Sequence, residues 1–174
     1  MPRRVRLRPG VGTKWIEVPA ADAQRLIRDT ARLVADLPRD GSSTVVWRSG
    51  ASELLVETDQ LTLTCNAGLV TVGIPIGCDQ LDGRAVVTVP FAVGARANPR
   101  GLFMATFATP TGPSVVIDVW ADALTAFAWE ALLTLAQRLA AAAGTDRRRR
   151  ALVPVAIGAQ PRVLLVQPMA RHEG

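Results

Sequence analysis

The stretch between Thr44 and Cys78 constrains the fold most, because its apolar side chains recur at every second position. A period of two is the repeat of a β-strand with one buried face. Short breaks at Gly50-Ala51, Asp59-Gln60 and Ala67-Gly68 divide the stretch into segments of strand length. The pattern therefore predicts a four-stranded antiparallel meander joined by tight turns.

The register imposed by these turns can be tested on the side chains. Trp47 falls opposite Leu54 on an apolar face, and Arg48 falls opposite Glu53 on the other face, an opposite-charge cross-strand pair. The outer face is less polar than a solvated face requires, because it also carries Val46, Leu55 and Leu69. The predicted pairs that flank the turns are Ser49–Ser52, Thr58–Leu61 and Asn66–Leu69.

Apolar residues at helical spacing predict an amphipathic first helix over residues 20–37. On its outer face, Arg25 precedes Asp29 and Arg32 precedes Asp36 by four positions, which is the spacing of surface ion pairs on a helix. These charges are typical of a solvated face.

Further strands complete the predicted architecture. Pro154 would mark the last hairpin as a sheet edge. The additional strands are predicted at residues 13–18, 85–93, 102–109, 114–119, 152–157 and 163–166. We therefore predict an α+β fold, an antiparallel β-meander of about seven strands packed against an amphipathic N-terminal helix and a long buried C-terminal helix. The single domain would span residues 13–168, between flexible tails at 1–12 and 169–174.

The long second helix is predicted over residues 121–143 and is apolar around most of its circumference. The sheet can bury one side of such a helix, so a neighbouring helix or a second subunit must bury another. Trp129 and Leu132 lie on this apolar surface and are therefore predicted to contact a partner. Gly144 can supply the left-handed residue that ends the helix.

The net charge of +5 is distributed unevenly along the chain. Residues 1–14 hold five basic side chains and no acidic one, whereas residues 15–143 hold nine basic and thirteen acidic ones. A second basic cluster consists of Arg147, Arg148, Arg149 and Arg150. This cluster could be a solvated loop at a helix end, dock onto an acidic protein surface, or bind nucleic acid or anionic lipid. No aromatic side chain is interleaved with it to stack a base, so nucleic acid is not favoured.

Groups suited to catalysis or metal binding are scarce. His172 is the only histidine, and Cys65 and Cys78 would stand at opposite ends of the meander, on the order of 27 Å apart at about 3.3 Å per residue. They are therefore predicted to be independent thiols on the apolar face rather than a disulfide. We predict neither a metal site nor a cofactor.

Three carboxylates invite a catalytic interpretation, namely Asp118, Asp122 and Glu130. The first two would stand at the start of the predicted second helix, where negative charge is favoured without any chemistry. Glu130 lies about 12 Å farther along the axis, too far for a glycosidase-type pair with Asp122.

The sequence thus favours a non-enzymatic protein-binding or assembly domain of scaffold, adaptor or chaperone-like type, as a homodimer or a subunit of a larger complex. One alternative is a nucleic-acid binder that uses the arginine-rich N-terminus and residues 147–150. Another is a small enzyme that uses Cys65 or the Asp118, Asp122 and Glu130 group. The apolar stretch 121–144 carries charges that are costly in lipid, so we predict no membrane span and a cytoplasmic location.

Overall fold

A computed structural model describes residues 14–102, 105–146 and 149–170 of the chain. The predicted tail 1–12 and residues 171–174 lie outside these ranges. Within them, nine strands and two helices form an α+β fold with antiparallel sheets, which confirms the predicted class. The strands are β1 (Ile16–Pro19), β2 (Thr44–Ser49), β3 (Ser52–Glu57), β4 (Thr62–Asn66), β5 (Leu69–Gly77), β6 (Arg84–Ala92), β7 (Thr106–Phe107), β8 (Leu152–Gln160) and β9 (Val163–Ala170). The helices are α1 (Ala20–Val34) and α2 (Ser114–Ala142).

The strands form two sheets. A six-stranded sheet has the order β2-β3-β5-β6-β7, with β4 also paired to β5, and a three-stranded sheet has the order β1-β9-β8. The predicted register is confirmed within two hairpins. Trp47 pairs with Leu54 between β2 and β3, and Cys65 pairs with Val70 between β4 and β5.

The predicted hairpin between β3 and β4 is wrong. Both strands instead lie along the same edge of β5, where Val56 pairs with Ile76 and Thr62 pairs with Gly73. Residues 58–61 therefore do not form a reverse turn, and β3 and β4 run in the same direction. Two contacts fix this path, because Thr58 remains hydrogen-bonded to the segment before β2 and Leu61 is fully buried in the core.

Helix α2 begins well before its predicted start, so the predicted strand at residues 114–119 is wrong. The valines and isoleucine of this stretch favour a strand by local propensity. In the structure, however, Val116 and Trp120 are both buried four positions apart, which is a helical repeat. Gly144 follows the end of the helix with φ +103°, as predicted for a left-handed terminating residue.

The charges on the outer face of α1 pair differently from the prediction. Arg25 forms an ion pair with Asp22 at 2.8 Å and not with Asp29. Arg32 donates to backbone carbonyls of the loop after α1 and not to Asp36. The helix therefore uses one of these arginines to hold its own C-terminal loop.

The apolar circumference of α2 is covered within a single chain. The helix contacts α1, both strands of the C-terminal hairpin, and β5 and β6. The hydroxyl of Thr30 in α1 donates to the carbonyl of Ala131 at 2.9 Å, which ties the two helices together. Of the two covers that the prediction allowed, a neighbouring helix or a second subunit, α1 supplies the first, and the C-terminal hairpin adds further cover. A second subunit is therefore not needed to bury this helix.

Backbone hydrogen bonds join the two sheets at one corner. Gly68 donates to the carbonyl of Ala159 in β8, and Ala159 donates to the carbonyl of Gly94, each at 3.0 Å. Val93, which directly follows β6, donates to the carbonyl of Gly68 at 2.9 Å. The sheets thus close around α2 from two sides.

The predicted terminal hairpin is confirmed but is longer than expected. Met169 and Ala170 belong to β9, where they pair with Val153 and Leu152, and not to a tail. Pro154 lies on β8, an edge strand of its sheet, as predicted.

Candidate interaction surface

The arginine cluster that follows α2 is partly consumed by local structure. Arg147 and Arg148 lie outside the described residues. Asp146 accepts bonds from Arg150, with its Oδ2 2.9 Å from Nε and 2.7 Å from Nη2. The backbone N–H of Arg150 donates to the same carboxylate at 2.7 Å, whereas Arg149 is exposed. One of the four predicted partner-binding arginines therefore closes a turn.

The two predicted contact residues on α2 have different surroundings. Leu132 is 0% exposed and lies in the core, so in the folded chain it does not contribute to any surface. Trp129 is half-buried, with its ring centroid 5.5 Å from those of Phe91 and Phe107. Phe107 is the exposed member of this aromatic cluster. The sequence predicts a strand over residues 102–109 and did not single out Phe107. In the described part of this stretch, the structure has only the two-residue strand β7.

Cys65 lies in surroundings that disfavour its nucleophilic form. Its side chain is buried on the inner face of the six-stranded sheet, and burial raises the pKa of the thiol to about 11. The thiolate is the nucleophilic form, and it is scarce at neutral pH when the pKa is this high. Cys78 is a second free thiol and is half-buried.

This difference predicts the order of alkylation. We expect iodoacetamide at about pH 8 to modify Cys78 in the native protein while Cys65 reacts only after unfolding. Mass spectrometry of a Cys78→Ser variant measures the alkylation rate of Cys65 alone. Rapid labelling of that variant in its native state would contradict the buried position of Cys65.

Burial of Cys65 also makes the stability of the protein depend on pH. Because the folded pKa of Cys65 lies above its unfolded value of 9.0, its contribution to stability is complete below pH 9 and is lost as the pH rises towards about 11.

The three candidate carboxylates face solvent along α2. Asp118, Asp122 and Glu130 are all exposed. Since the helix begins at Ser114, the first two lie beyond its first turn, so the predicted helix-start role is wrong. Among the described residues, no group of three or more histidine, cysteine or acidic side chains is placed to hold a metal ion. Neither described helix combines the length and apolarity needed to cross a membrane.

The outer edge of β2 is a terminal edge of the six-stranded sheet. At the far side of this sheet, β7 and a bridge between Thr88 and Thr111 cover β6. In the smaller sheet, bridges from Gly94 and Gly101 cover part of β8. No strand or bridge from the described part of the chain pairs with the outer edge of β2. Natural proteins usually protect such an edge, because it can accept another strand.

The hydrogen-bond pattern identifies which backbone groups this edge presents. Thr58 N–H donates to the carbonyl of Ser43 at 2.9 Å, so this pair faces inward between the two strands. Antiparallel ladders alternate, and Val45 and Trp47 therefore also bond inward to β3. The residues whose backbone groups face outward are Thr44, Val46 and Arg48. Of these, Thr44 N–H is already bonded to the Ser42 hydroxyl at 3.1 Å.

Apolar side chains flank this open edge on both faces. On the outer face, Val46 is 43% exposed and pairs with Leu55, which is also exposed. Val86 is exposed on the same face, two strands farther on. On the inner face, the half-buried ring of Trp47 packs edge-on against Phe127 of α2 at 5.4 Å. The edge therefore presents both backbone groups and an apolar surface.

Comparisons with protein-family models, with curated proteins and with solved structures found no match for this chain. No activity or partner can therefore be carried over from a relative. The surfaces described above are the basis for assigning a function.

Proposed function

We propose that the protein is a non-enzymatic protein-binding and assembly domain that self-associates through the outer edge of β2. The observation that carries the proposal is the open edge itself, with outward backbone groups at Val46 and Arg48 beside an exposed apolar side chain. Strand addition to such an edge is a common mode of protein recognition, in which main-chain hydrogen bonds supply affinity and side chains supply specificity.

The sequence of β2 is compatible with its own copy in antiparallel pairing. When Val46 lies opposite Val46 of a second copy, Trp47 lies opposite Val45, which is a favourable aromatic and β-branched pair. Arg48 then lies opposite Thr44, so no two like charges meet. Within each chain, Arg48 is already paired with Glu53 at 3.0 Å, which reduces its repulsion of the second copy.

The surroundings of the candidate catalytic groups support a non-enzymatic role. The buried thiol of Cys65 is protonated at neutral pH, and the three carboxylates on α2 are exposed to solvent. The pairing of Arg150 with Asp146 reduces the charge that the arginine cluster could offer to nucleic acid. A protein partner, beginning with a second copy, fits these features better than a polynucleotide.

The test is a lysine substitution at the edge. We expect Val46→Lys to convert the protein from a dimer to a monomer, because a charge at the centre of an edge strand opposes strand addition. Val86→Lys is the matched control, since Val86 is 52% exposed on β6 and two strands, β3 and β5, separate it from β2. Light scattering coupled to size exclusion, and sedimentation at several loading concentrations, measure the change.

Two outcomes would overturn the proposal. A wild-type monomer at about 1 mM excludes any association stronger than about −4 kcal/mol. A dimer that survives Val46→Lys as well as it survives Val86→Lys places the interface elsewhere.

A further inference from the structure

A cavity of about 340 Å³ lies between the C-terminal end of α1, the loop that follows it and the last third of α2. It is separate from β2 and was not anticipated from the sequence. Its walls are formed by Asp29, Arg32, Leu33, Leu37, Arg39 and Arg138. The volume is within the range of pockets that hold small ligands.

The charge in this cavity is strongly positive. Three arginines and one carboxylate, that of Asp29, line the cavity, so the formal charges of its walls sum to +2. Arg32 is held in place, because its Nη2 donates to the carbonyls of Pro38 and Arg39. Within the described ranges, the side chains of Arg39 and Arg138 form no hydrogen bond or ion pair. Two guanidinium groups are therefore free to bind an anion.

The same cavity has an apolar wall. Leu33 is 54% exposed, the highest value among the large exposed apolar side chains of the described residues, and Leu37 stands beside it half-buried. A ligand that carries an apolar group next to its charge would cover the exposed Leu33 while its charge binds the neighbouring arginines. A bare inorganic ion would leave this wall in water.

We propose that the cavity is a binding site for a small phosphate monoester whose organic group is apolar. The phosphate dianion carries a charge of about −1.5 to −2 at neutral pH, which matches the formal charge of the cavity better than a single carboxylate does. Guanidinium groups bind phosphate oxygens through paired N–H donors. Arg39 and Arg138 bind the phosphate, Arg32 adds positive potential, and Leu33 packs on the organic group. The proposal does not rest on self-association through β2.

The probes separate charge from apolar contact. We expect phenyl phosphate to bind more tightly than inorganic phosphate, and benzyl alcohol to show no saturable binding, in calorimetric titrations of the full chain. Backbone amide signals of residues 29–39 and of Arg138 should shift together in the NMR spectrum. Because the second phosphate pKa is about 6, affinity for phenyl phosphate should rise between pH 5 and pH 7.

Matched variants assign the effect to the cavity. We expect Arg138→Gln and Arg39→Gln each to weaken phenyl phosphate binding by about tenfold, the loss of one charge-assisted contact. Arg25→Gln is the control, since Arg25 lies on the same helix α1 and pairs with Asp22 away from the cavity. Asp29→Asn should tighten binding by removing a repelling charge, a gain that misfolding cannot produce.

The results that overturn the proposal are distinct. Absence of saturable phenyl phosphate binding excludes the site, and equal losses in Arg138→Gln and Arg25→Gln show non-specific attraction to surface charge only. Weaker binding in Asp29→Asn would also overturn it, because removal of a negative charge from the cavity wall should favour a phosphate bound there. Failure here leaves the dimer test untouched, because Val46→Lys alters β2 and none of the cavity residues.

Discussion

Replacing Leu132 with alanine is expected to lower the free energy of unfolding by about 2–5 kcal/mol. The side chain is 0% exposed on α2, so its removal leaves a cavity that the surrounding elements can fill only in part. Urea denaturation followed by circular dichroism measures the loss. The same variant should leave the association state unchanged, because Leu132 is covered by its own chain.

Leu33→Ala provides the control for this prediction. Leu33 is a leucine on the other helix, and it is largely in solvent. Its replacement should change the free energy of unfolding by no more than about 0.5 kcal/mol. Equal effects at Leu132 and Leu33, or dissociation of the protein by Leu132→Ala, would contradict the burial of α2 within one chain.

The corner that joins the two sheets should also be sensitive to substitution. We expect Gly94→Ala to lower the free energy of unfolding by about 1–3 kcal/mol. A Cβ atom at this position would overlap the backbone nitrogen of Arg100 and lie 3.1 Å from the carbonyl oxygen of Asn98. Both are backbone atoms, so the loop itself has to move and the hydrogen bond from Ala159 to Gly94 is disturbed.

Gly77→Ala is the matched substitution within the six-stranded sheet. A Cβ atom there would meet only the side chain of Leu55, at 3.8 Å, which is an ordinary contact. We therefore expect thermal and urea denaturation to show a small change for Gly77→Ala and a large one for Gly94→Ala. Similar losses for both variants would mean that the corner does not hold the sheets together.

Local hairpins were the part of the fold that the sequence predicted well. A two-residue turn leaves a single register, and the alternation of apolar residues then checks it, as Trp47 opposite Leu54 illustrates. The Asp59-Gln60 break has the same local appearance but a different outcome. Because Leu61 is buried and Thr58 is hydrogen-bonded to the segment before β2, the chain does not reverse here, and β4 runs in the same direction as β3. Neither contact can be predicted from the few residues around the break.

The surroundings of α2 could not be predicted for a related reason. The apolar circumference correctly indicated cover on more than one side, but the identity of that cover depends on where the C-terminal hairpin folds back. The β-branched residues at the start of the helix favour a strand locally, whereas Val116 and Trp120 are buried at helical spacing in the structure. Tertiary contacts override propensity in both cases.

The two proposed binding surfaces differ in how far the sequence could predict them. The apolar outer face at Val46 and Leu55 was visible in the alternation of β2 and β3. The open edge was not, because sheet order decides which strand is terminal. The arginine cavity was not visible either, since it joins Arg39 and Arg138 across about a hundred residues of sequence.

Amide hydrogen exchange along β2 tests the proposed assembly most directly. The N–H groups of Val45 and Trp47 bond to β3 within the chain, whereas those of Val46 and Arg48 face outward. We predict that Val46 and Arg48 exchange slowly at high protein concentration and rapidly on dilution, while the inward pair stays protected throughout. Rapid exchange at Val46 and Arg48 at every concentration, with the inward pair protected, would show that no strand adds to this edge.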